Sequence, residues 1–247
     1  MKKTIILLTL LAVVQLGYAQ KLTPQTLKSI ELANHKKVVA NSLQYNDLQT
    51  AINSMHHIIA LEGATSTYKD SLAMAYYTMG NYVSSHLLAK ELLQTKPKDT
   101  GLLEINAISL QNLNATKEAI TAYDQLFALT QNMAHGYQLA MLQYGIKRLA
   151  EAEATVNQAL NCKAIENAYI QFAKDKTQAQ NVPLKAAAHN LQGLIAFELK
   201  NYEQAKAAFD KALEITPKFT TATQNANAVL VQLQNERKLK AKEVEEE

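Results

Sequence analysis

The histidines are the residues best suited to metal or acid–base chemistry, and their spacing does not bring them together. His56 and His57 are adjacent, so on a helix their side chains diverge by about 100° and cannot share one ion. No histidine lies four residues from another with a glutamate between them. The six are His35, His56, His57, His86, His135 and His189. They predict no metal site.

The candidate nucleophiles are equally isolated. Ser84, Ser85 and His86 are neighbours whose side chains diverge on a helix, and no acidic residue is placed to orient the imidazole. Glu151 and Glu153 lie on different helical faces, which favours solvation over a catalytic pair. The sequence has no GxSxG motif, no phosphate-binding glycine loop and no paired cysteines. We therefore expect a non-enzymatic protein with no catalytic residues and no cofactor.

The composition is that of a folded, helix-rich chain. The 247 residues are 48% hydrophobic and 19% charged, with no tryptophan, which argues against disorder and against a β-protein. Cys162 is the only cysteine, so an internal disulfide is excluded. We expect Cys162 to be a half-buried residue near a helix end, and an intermolecular disulfide is the alternative.

Residues 1–19 have the pattern of a secretory signal peptide. Lys2 and Lys3 precede an apolar run from Ile5 to Leu16, and small residues follow, with cleavage expected after Ala19. A membrane anchor is the alternative, but the run is shorter than the ~20 residues needed to span a bilayer. Loss of both lysines lowers the net charge from +3 to about +1. We therefore expect an exported, periplasmic chain with no membrane span after cleavage and no nucleic-acid partner.

The clearest structural pattern covers residues 186–219, which predict two helices joined by a turn. Apolar residues recur at helical spacing on both sides of Lys200-Asn201, and Pro217 ends the second helix. Gly193 and Ala205 are the small residues that permit close helix packing.

The same pair of small residues recurs along the chain. In the first helices it falls at Val39, Ala73, Ala107, Ala140 and Gly193, and in the second helices at Ala51, Ser85, Ala119, Ala152 and Ala205. Both series have intervals of 34, 34, 33 and 53 residues. Two independent columns with one set of intervals predict a repeat array.

Residues 186–219 resemble a tetratricopeptide repeat, a 34-residue helical hairpin. The matching positions are Gly193, Tyr202, Ala205, Phe209, Ala212 and Pro217. The resemblance implies an all-α, right-handed superhelical solenoid of about five hairpins. The expected segments are an N-terminal helix with a degenerate repeat (20–65), repeats at 66–99, 100–132, 133–166 and 186–219, and a capping helix with a charged tail (220–247).

The last interval exceeds one repeat by 19 residues, which places an insertion at 167–185. Tyr169, Ile170 and Phe172 are β-prone, and a turn near Lys174 could return the chain through Val182. A short β-hairpin and a flexible loop are the two interpretations of this non-helical segment.

The resemblance also implies a concave groove lined by the first helix of each hairpin. Its expected partner-binding residues are Lys36, Asp70, Met74, Tyr77, Ile108, Tyr137, Met141, Tyr144, Leu194 and Phe197. Met and aromatic side chains suit an apolar partner segment. The alternative is that these side chains pack within the array and bind nothing.

These patterns predict an interaction scaffold of the bacterial cell envelope whose partners are other envelope proteins or peptides. Self-assembly into a homo-oligomer is one alternative. A polysaccharide- or peptidoglycan-binding accessory, with Tyr77, Tyr137 and Tyr144 stacking on sugar rings, is another.

Overall fold

The computed structural model describes residues 23–163, 167–174 and 177–245, and the features reported below refer to these residues. The predicted signal peptide, residues 1–19, lies outside them. The described residues form eleven helices and one two-stranded sheet. None of these helices combines the length and the apolar composition needed to cross a membrane.

The elements follow one another as helical pairs, with the sheet before the last pair. In chain order they are α1 (Pro24–Gln44), α2 (Leu48–Glu62), α3 (Tyr68–Thr78), α4 (Tyr82–Leu93), α5 (Thr100–Asn112), α6 (Thr116–Thr130), α7 (Met133–Gly145), α8 (Leu149–Asn161), β1 (Tyr169–Ala173), β2 (Ala179–Pro183), α9 (Leu184–Glu198), α10 (Tyr202–Ile215) and α11 (Thr220–Glu245). The chain divides into two compact units between Asn81 and Tyr82.

The first unit contains α1 to α3, with α2 packed against both of the other helices. Its helices begin at capping residues: the Thr23 hydroxyl accepts from the Thr26 amide, and the Asp47 carboxylate accepts from the Thr50 amide, each at 3.1 Å. The buried apolar side chains of α2 include Ile52, Met55 and Ile58.

The second unit contains α4 to α11, and each helix from α4 to α8 packs against the next. One continuous core extends from Leu103 on α5 to Ala222 on α11. Hairpins of this size cannot bury their own apolar faces, so the stack stabilises each of them through its neighbours. The consecutive hairpins confirm the predicted all-α repeat architecture.

The turn inside each pair repeats one backbone conformation. The residue two positions after the first helix has a positive φ, which satisfies the last carbonyls of the helix through a tight turn. These residues are Asn46, Gly80, Asn114, Lys147 and Lys200. Their intervals, 34, 34, 33 and 53 residues, equal those of the small-residue columns.

The small-residue columns lie where neighbouring helices touch. Ala51, Ala119 and Ala205 are fully buried. At Gly193, an added Cβ atom would lie 2.5 Å from the Phe209 ring. The aromatic ring of α10 therefore occupies the space that any side chain on this turn of α9 would need.

The described residues of the insertion form two paired strands, which confirms the β-hairpin interpretation. β1 and β2 pair antiparallel, with Ile170 opposite Val182 and Phe172 opposite Gln180. Side chains on one face of the hairpin are covered, and Val182 is fully buried in the core of the second unit.

Two side chains, Phe172 and Gln180, dock the hairpin onto the turn between α10 and α11. The Phe172 ring meets Phe219 edge to face, with centroids 4.8 Å apart. The Gln180 amide donates to the Lys218 carbonyl oxygen at 2.7 Å, and its oxygen accepts from the Thr220 amide at 3.3 Å. The hairpin is thus part of the last repeat's packing.

Helix α11 covers the last hairpin. Val229 and Leu233 pack with Ala196, Ala205 and Phe209 in a cluster of buried residues. This is the predicted role of a capping helix, because α11 covers the apolar face that the last hairpin would otherwise expose.

The contact between Gly193 and Phe209 leads to a stability prediction. We expect Gly193→Ala to lower the free energy of unfolding by about 1–3 kcal/mol, since the new methyl group overpacks against the ring. Chemical denaturation monitored by circular dichroism measures the change. Gly145→Ala is the control: an added Cβ atom there meets nothing within 4 Å, so stability should be unchanged or higher. Equal effects of both variants would contradict the packing role.

Candidate functional site

In the first unit, Lys36 is engaged in an ion pair. Its ammonium nitrogen lies 2.7 Å from a Glu62 carboxylate oxygen and 5.7 Å from the centre of the Tyr68 ring. The Glu62 hydrogen bond raises the pKa of Lys36, and the Lys36 and Ser66 hydrogen bonds lower the pKa of Glu62. The predicted groove cation therefore links α1 to the end of α2.

The other candidates of the first unit share one face of α3. Asp70, Met74 and Tyr77 are spaced by four and three residues, which places them on the same side of the helix. Met74 is exposed over 49% of its surface, while Asp70 and Tyr77 are half-buried. This face offers one adaptable apolar side chain between two polar ones.

In the second unit, a cavity of about 390 Å³ opens between α5 and α7. We call it the α5–α7 cavity. It contains the predicted residue Ile108, and most of its other lining side chains are polar. The lining residues are Glu104, Ile108, Gln111, Asn112, Tyr123, Asn132, Ala134, His135 and Gln138.

Hydrogen bonds hold several of these polar side chains in place. The Tyr123 hydroxyl donates to the Gln111 side-chain oxygen at 2.8 Å. His135 Nδ1 lies 2.9 Å from the Thr130 hydroxyl, and His135 Nε2 lies 3.7 Å from a Glu104 carboxylate oxygen. The cavity wall is therefore pre-organised, which lowers the entropic cost of binding.

Tyr137 is a correction to the predicted groove. Only 4% of its surface is exposed, and it packs in the core of the second unit. Burial raises the pKa of its hydroxyl to about 12. Helical spacing placed Tyr137 one turn before Met141, but the side chain fills the space between helices and cannot contact a partner or stack on a sugar ring.

Met141 and Tyr144 remain at the surface on α7. Met141 is 40% exposed. Tyr144 is half-buried beneath Lys147, whose ammonium nitrogen lies 5.4 Å from the ring centre and 2.9 Å from a Glu198 carboxylate oxygen. Burial and the nearby Glu198 carboxylate raise the pKa of Tyr144. This ion pair joins the ends of α7 and α9.

The two remaining candidates, Leu194 and Phe197, lie on α9. Both are half-buried and pack against the cluster that α11 completes. The Phe197 ring also contacts Tyr202, with centroids 5.4 Å apart. Much of their surface thus stabilises the last repeat.

Two of the histidines, His35 and His57, are brought into contact, which their spacing in the sequence did not predict. His57 stacks on His35 with ring centres 4.5 Å apart, whereas His56 lies 2.7 Å from the Tyr76 hydroxyl. In the described part of the chain, no three His, Cys, Asp or Glu side chains are grouped to hold a metal ion. Cys162 is half-buried at the end of α8, with its thiol 3.4 Å from the Gln158 carbonyl oxygen.

Sequence reasoning did not predict Tyr123, Asn132, His135 and Gln138 as lining residues of a cavity. Tyr123 and Asn132 belong to α6 and the turn that follows it, outside the first helices to which the resemblance points. His135 and Gln138 are on a first helix, two positions before and one position after the predicted groove residue Tyr137. Polar residues flanking a predicted groove are the signal that could have indicated them.

The sequence comparison agrees with this architecture. Residues 186–219 match the family model of the tetratricopeptide repeat. No curated protein matches the chain. The chain therefore carries a tetratricopeptide repeat and has the fold of tetratricopeptide repeat proteins, as its sequence predicted. That fold is typical of non-catalytic protein–protein interaction scaffolds.

Solved structures share the fold at low sequence identity. MamA from Desulfovibrio magneticus RS-1 superposes with a TM-score of 0.57 at 12% identity, over 76% of this chain and 97% of that one. A tetratricopeptide repeat protein from Parabacteroides merdae gives 0.60 at 14% identity, over 85% and 77%. YrrB, described as having an unusual peptide-binding site, gives 0.59 at 18% identity, over 75% and 87%.

The burial of Tyr137 predicts a pH dependence of stability. Its folded-state pKa is raised, so its contribution is present below pH ~10 and is lost as the pH rises towards the folded pKa of about 12. We expect the wild type to lose about 2 kcal/mol more than Tyr137→Phe between pH 9 and pH 12. Urea unfolding across this range measures the difference.

Tyr169→Phe is the control for this experiment, because Tyr169 is 56% exposed on β1. It should keep the wild-type pH profile. A Tyr137→Phe profile identical to that of the wild type would contradict the buried position of the hydroxyl.

Proposed function

We propose that this chain is a non-enzymatic interaction scaffold of the bacterial cell envelope. In the second unit, the α5–α7 cavity and the adjacent Met141 would hold a segment of a partner protein. The observation that carries the proposal is a cavity lined by four side-chain amides together with the apolar side chain of Ile108.

The chemistry of the lining favours a peptide backbone. Each side-chain amide offers both a donor and an acceptor, which is the pattern that a main chain presents in return. Four such amides line the cavity: Gln111, Asn112, Asn132 and Gln138. Some of these donors and acceptors are used within the protein. The Gln111 side-chain oxygen accepts a hydrogen bond from the Tyr123 hydroxyl, and the Asn112 amide donates one to the Ile108 carbonyl oxygen at 2.8 Å.

Apolar contacts would add to the hydrogen bonds. Ile108 is half-buried within the cavity, and Met141 is exposed on α7 one turn beyond Gln138. An extended segment that alternates apolar side chains with free backbone groups matches this arrangement. The peptide-binding site named for YrrB, which shares the fold, supports the same class of ligand.

A location in the cell envelope is supported by the sequence of residues 1–19, with its two lysines, apolar run and small residues before Gln20. An exported scaffold would meet other envelope proteins. The near-neutral charge of the cleaved chain gives no reason to expect nucleic acid as a partner.

Affinity capture from a bacterial envelope extract tests the binding surface. We expect Gln138→Ala/Met141→Ala to reduce recovery of a captured protein at least tenfold, because the variant loses an amide and an apolar contact on one face of α7. Quantitative mass spectrometry of the bound fraction measures recovery.

The matched control is Val231→Ala/Gln234→Ala, which removes an exposed apolar residue and a glutamine at the same spacing on α11. It should retain wild-type recovery. Equal loss with both variants, or recovery of another copy of this chain alone, would count against the proposed surface; the latter result would favour self-assembly.

Export has its own test. Expression of residues 1–247 in a Gram-negative host should release a periplasmic chain whose N-terminal residue is Gln20, as read by intact mass and terminal sequencing. Leu11→Arg should block cleavage, since a charge interrupts the apolar run. Gln15→Asn should be cleaved as the wild type is. A wild-type chain that keeps residues 1–19 would disprove the signal-peptide assignment.

A further inference from the structure

A second cavity, of about 560 Å³, lies between α8 and α10 and is floored by α9. We call it the α8–α10 cavity. It shares no residue with the α5–α7 cavity. It combines charged, amide and apolar side chains, and its lining residues are Asn157, Leu160, Asn161, Lys185, His189, Gln192, Lys211, Glu214 and Ile215.

A short hydrogen-bond chain crosses this cavity. The His189 Nδ1 atom lies 3.1 Å from the Gln192 side-chain oxygen, and the Gln192 amide nitrogen donates to the Asn157 oxygen at 2.7 Å. His189 is only 9% exposed, although α9 buries mainly apolar residues around it. With Nδ1 donating to Gln192, the Nε2 atom is left for another partner.

The charges around His189 are mainly positive. Lys185 on α9 and Lys211 on α10 line the cavity, and Glu214 is the one carboxylate among its lining residues. The lining residues of α8 are uncharged. Among the described residues, the ammonium groups of these two lysines form no hydrogen bond and no ion pair. Burial, and then the two lysines, lower the pKa of His189, while its Gln192 hydrogen bond and Glu214 act in the opposite direction.

A comparable cavity elsewhere in the second unit lacks this excess of positive charge. It lies between α4 and α6 and has a volume of about 260 Å³. Lys90 and Glu118 balance one another in its lining, and His86 is engaged by Asn106 at 2.7 Å. The α8–α10 cavity therefore differs from the matching groove of another repeat in its larger volume and in two ammonium groups that no described side chain neutralises.

We propose that the α8–α10 cavity binds a small organic acid. Lys185 and Lys211 hold its carboxylate, and Leu160 and Ile215 contact its carbon chain. The Asn157 amide nitrogen, which the Gln192 hydrogen bond leaves available, is a further donor. The volume falls within the ~300–1,000 Å³ of small-molecule sites. This site is independent of the partner-binding surface proposed above.

Titration of the full chain with glutarate tests the site. Isothermal titration calorimetry measures the affinity, and amide chemical shifts locate the bound ligand. We expect shifts centred on Lys185, His189 and Lys211. Lys185→Gln/Lys211→Gln should weaken glutarate binding at least tenfold. The charge-matched control, Lys90→Gln/Lys117→Gln, should stay within about twofold of the wild type.

Glu214→Gln is a variant for which we expect a higher affinity for glutarate, a result that misfolding could not produce. Removal of this carboxylate relieves repulsion of the ligand, so glutarate should bind about two- to threefold more tightly. The ring of His189 gives an independent readout, because an anion beside it raises its pKa. Saturation with glutarate should therefore move the imidazole titration to higher pH in the wild type and leave it unchanged in the double lysine variant.

Three outcomes would overturn the proposal. The first is a glutarate response spread evenly over all surface lysines, and the second is equal weakening by both lysine pairs. The third is binding of an acidic peptide, acetyl-Glu-Glu-Glu-amide, with no binding of glutarate, which would make the cavity part of a protein interface instead of a small-molecule site.

Discussion

Close approach between helices, permitted by small residues at regular intervals, is the constraint on which this structure depends. At Gly193 the Phe209 ring occupies the space that a side chain would need, and the methyl groups of Ala119 and Ala205 are fully buried between helices. Each hairpin is too small for a core of its own, so these contacts let neighbours supply the missing burial. The turn residues with positive φ recur at the same intervals, because a fixed helix spacing requires a fixed way of reversing the chain.

The β-hairpin shows how the array accepts an insertion. It departs from the repeat between α8 and α9 and returns to it, and α9 still packs against both α8 and α10. The cost of ordering the extra residues is offset by docking: Val182 enters the shared core, and Gln180 satisfies two backbone groups of the α10–α11 turn. The same region holds the α8–α10 cavity, to which the first helix after the hairpin contributes Lys185, His189 and Gln192.

The candidate surfaces are polar, and several charges within them already have partners. Lys36 is paired with Glu62 and Lys147 with Glu198, so these cations stabilise the junctions between helices. What remains for recognition is a set of amides around Ile108, an exposed methionine on α7, and the two lysines of the α8–α10 cavity. A scaffold built in this way can present distinct chemistry from different repeats without altering the packing that holds them together.

The sequence by itself determined the helical hairpins, their period and the position of the insertion, because small residues, helix breakers and β-prone residues act locally and repeat. It also indicated Met141 as a residue available at the surface of its helix, where 40% of it is exposed. Tertiary structure decided which residues of a helical stripe are covered: Tyr137 obeys the same periodicity as Met141, but it fills an interhelical space, while His135 and Gln138 reach the cavity. Burial depends on the neighbouring helices, and helical spacing within one segment contains no information about how those neighbours are placed.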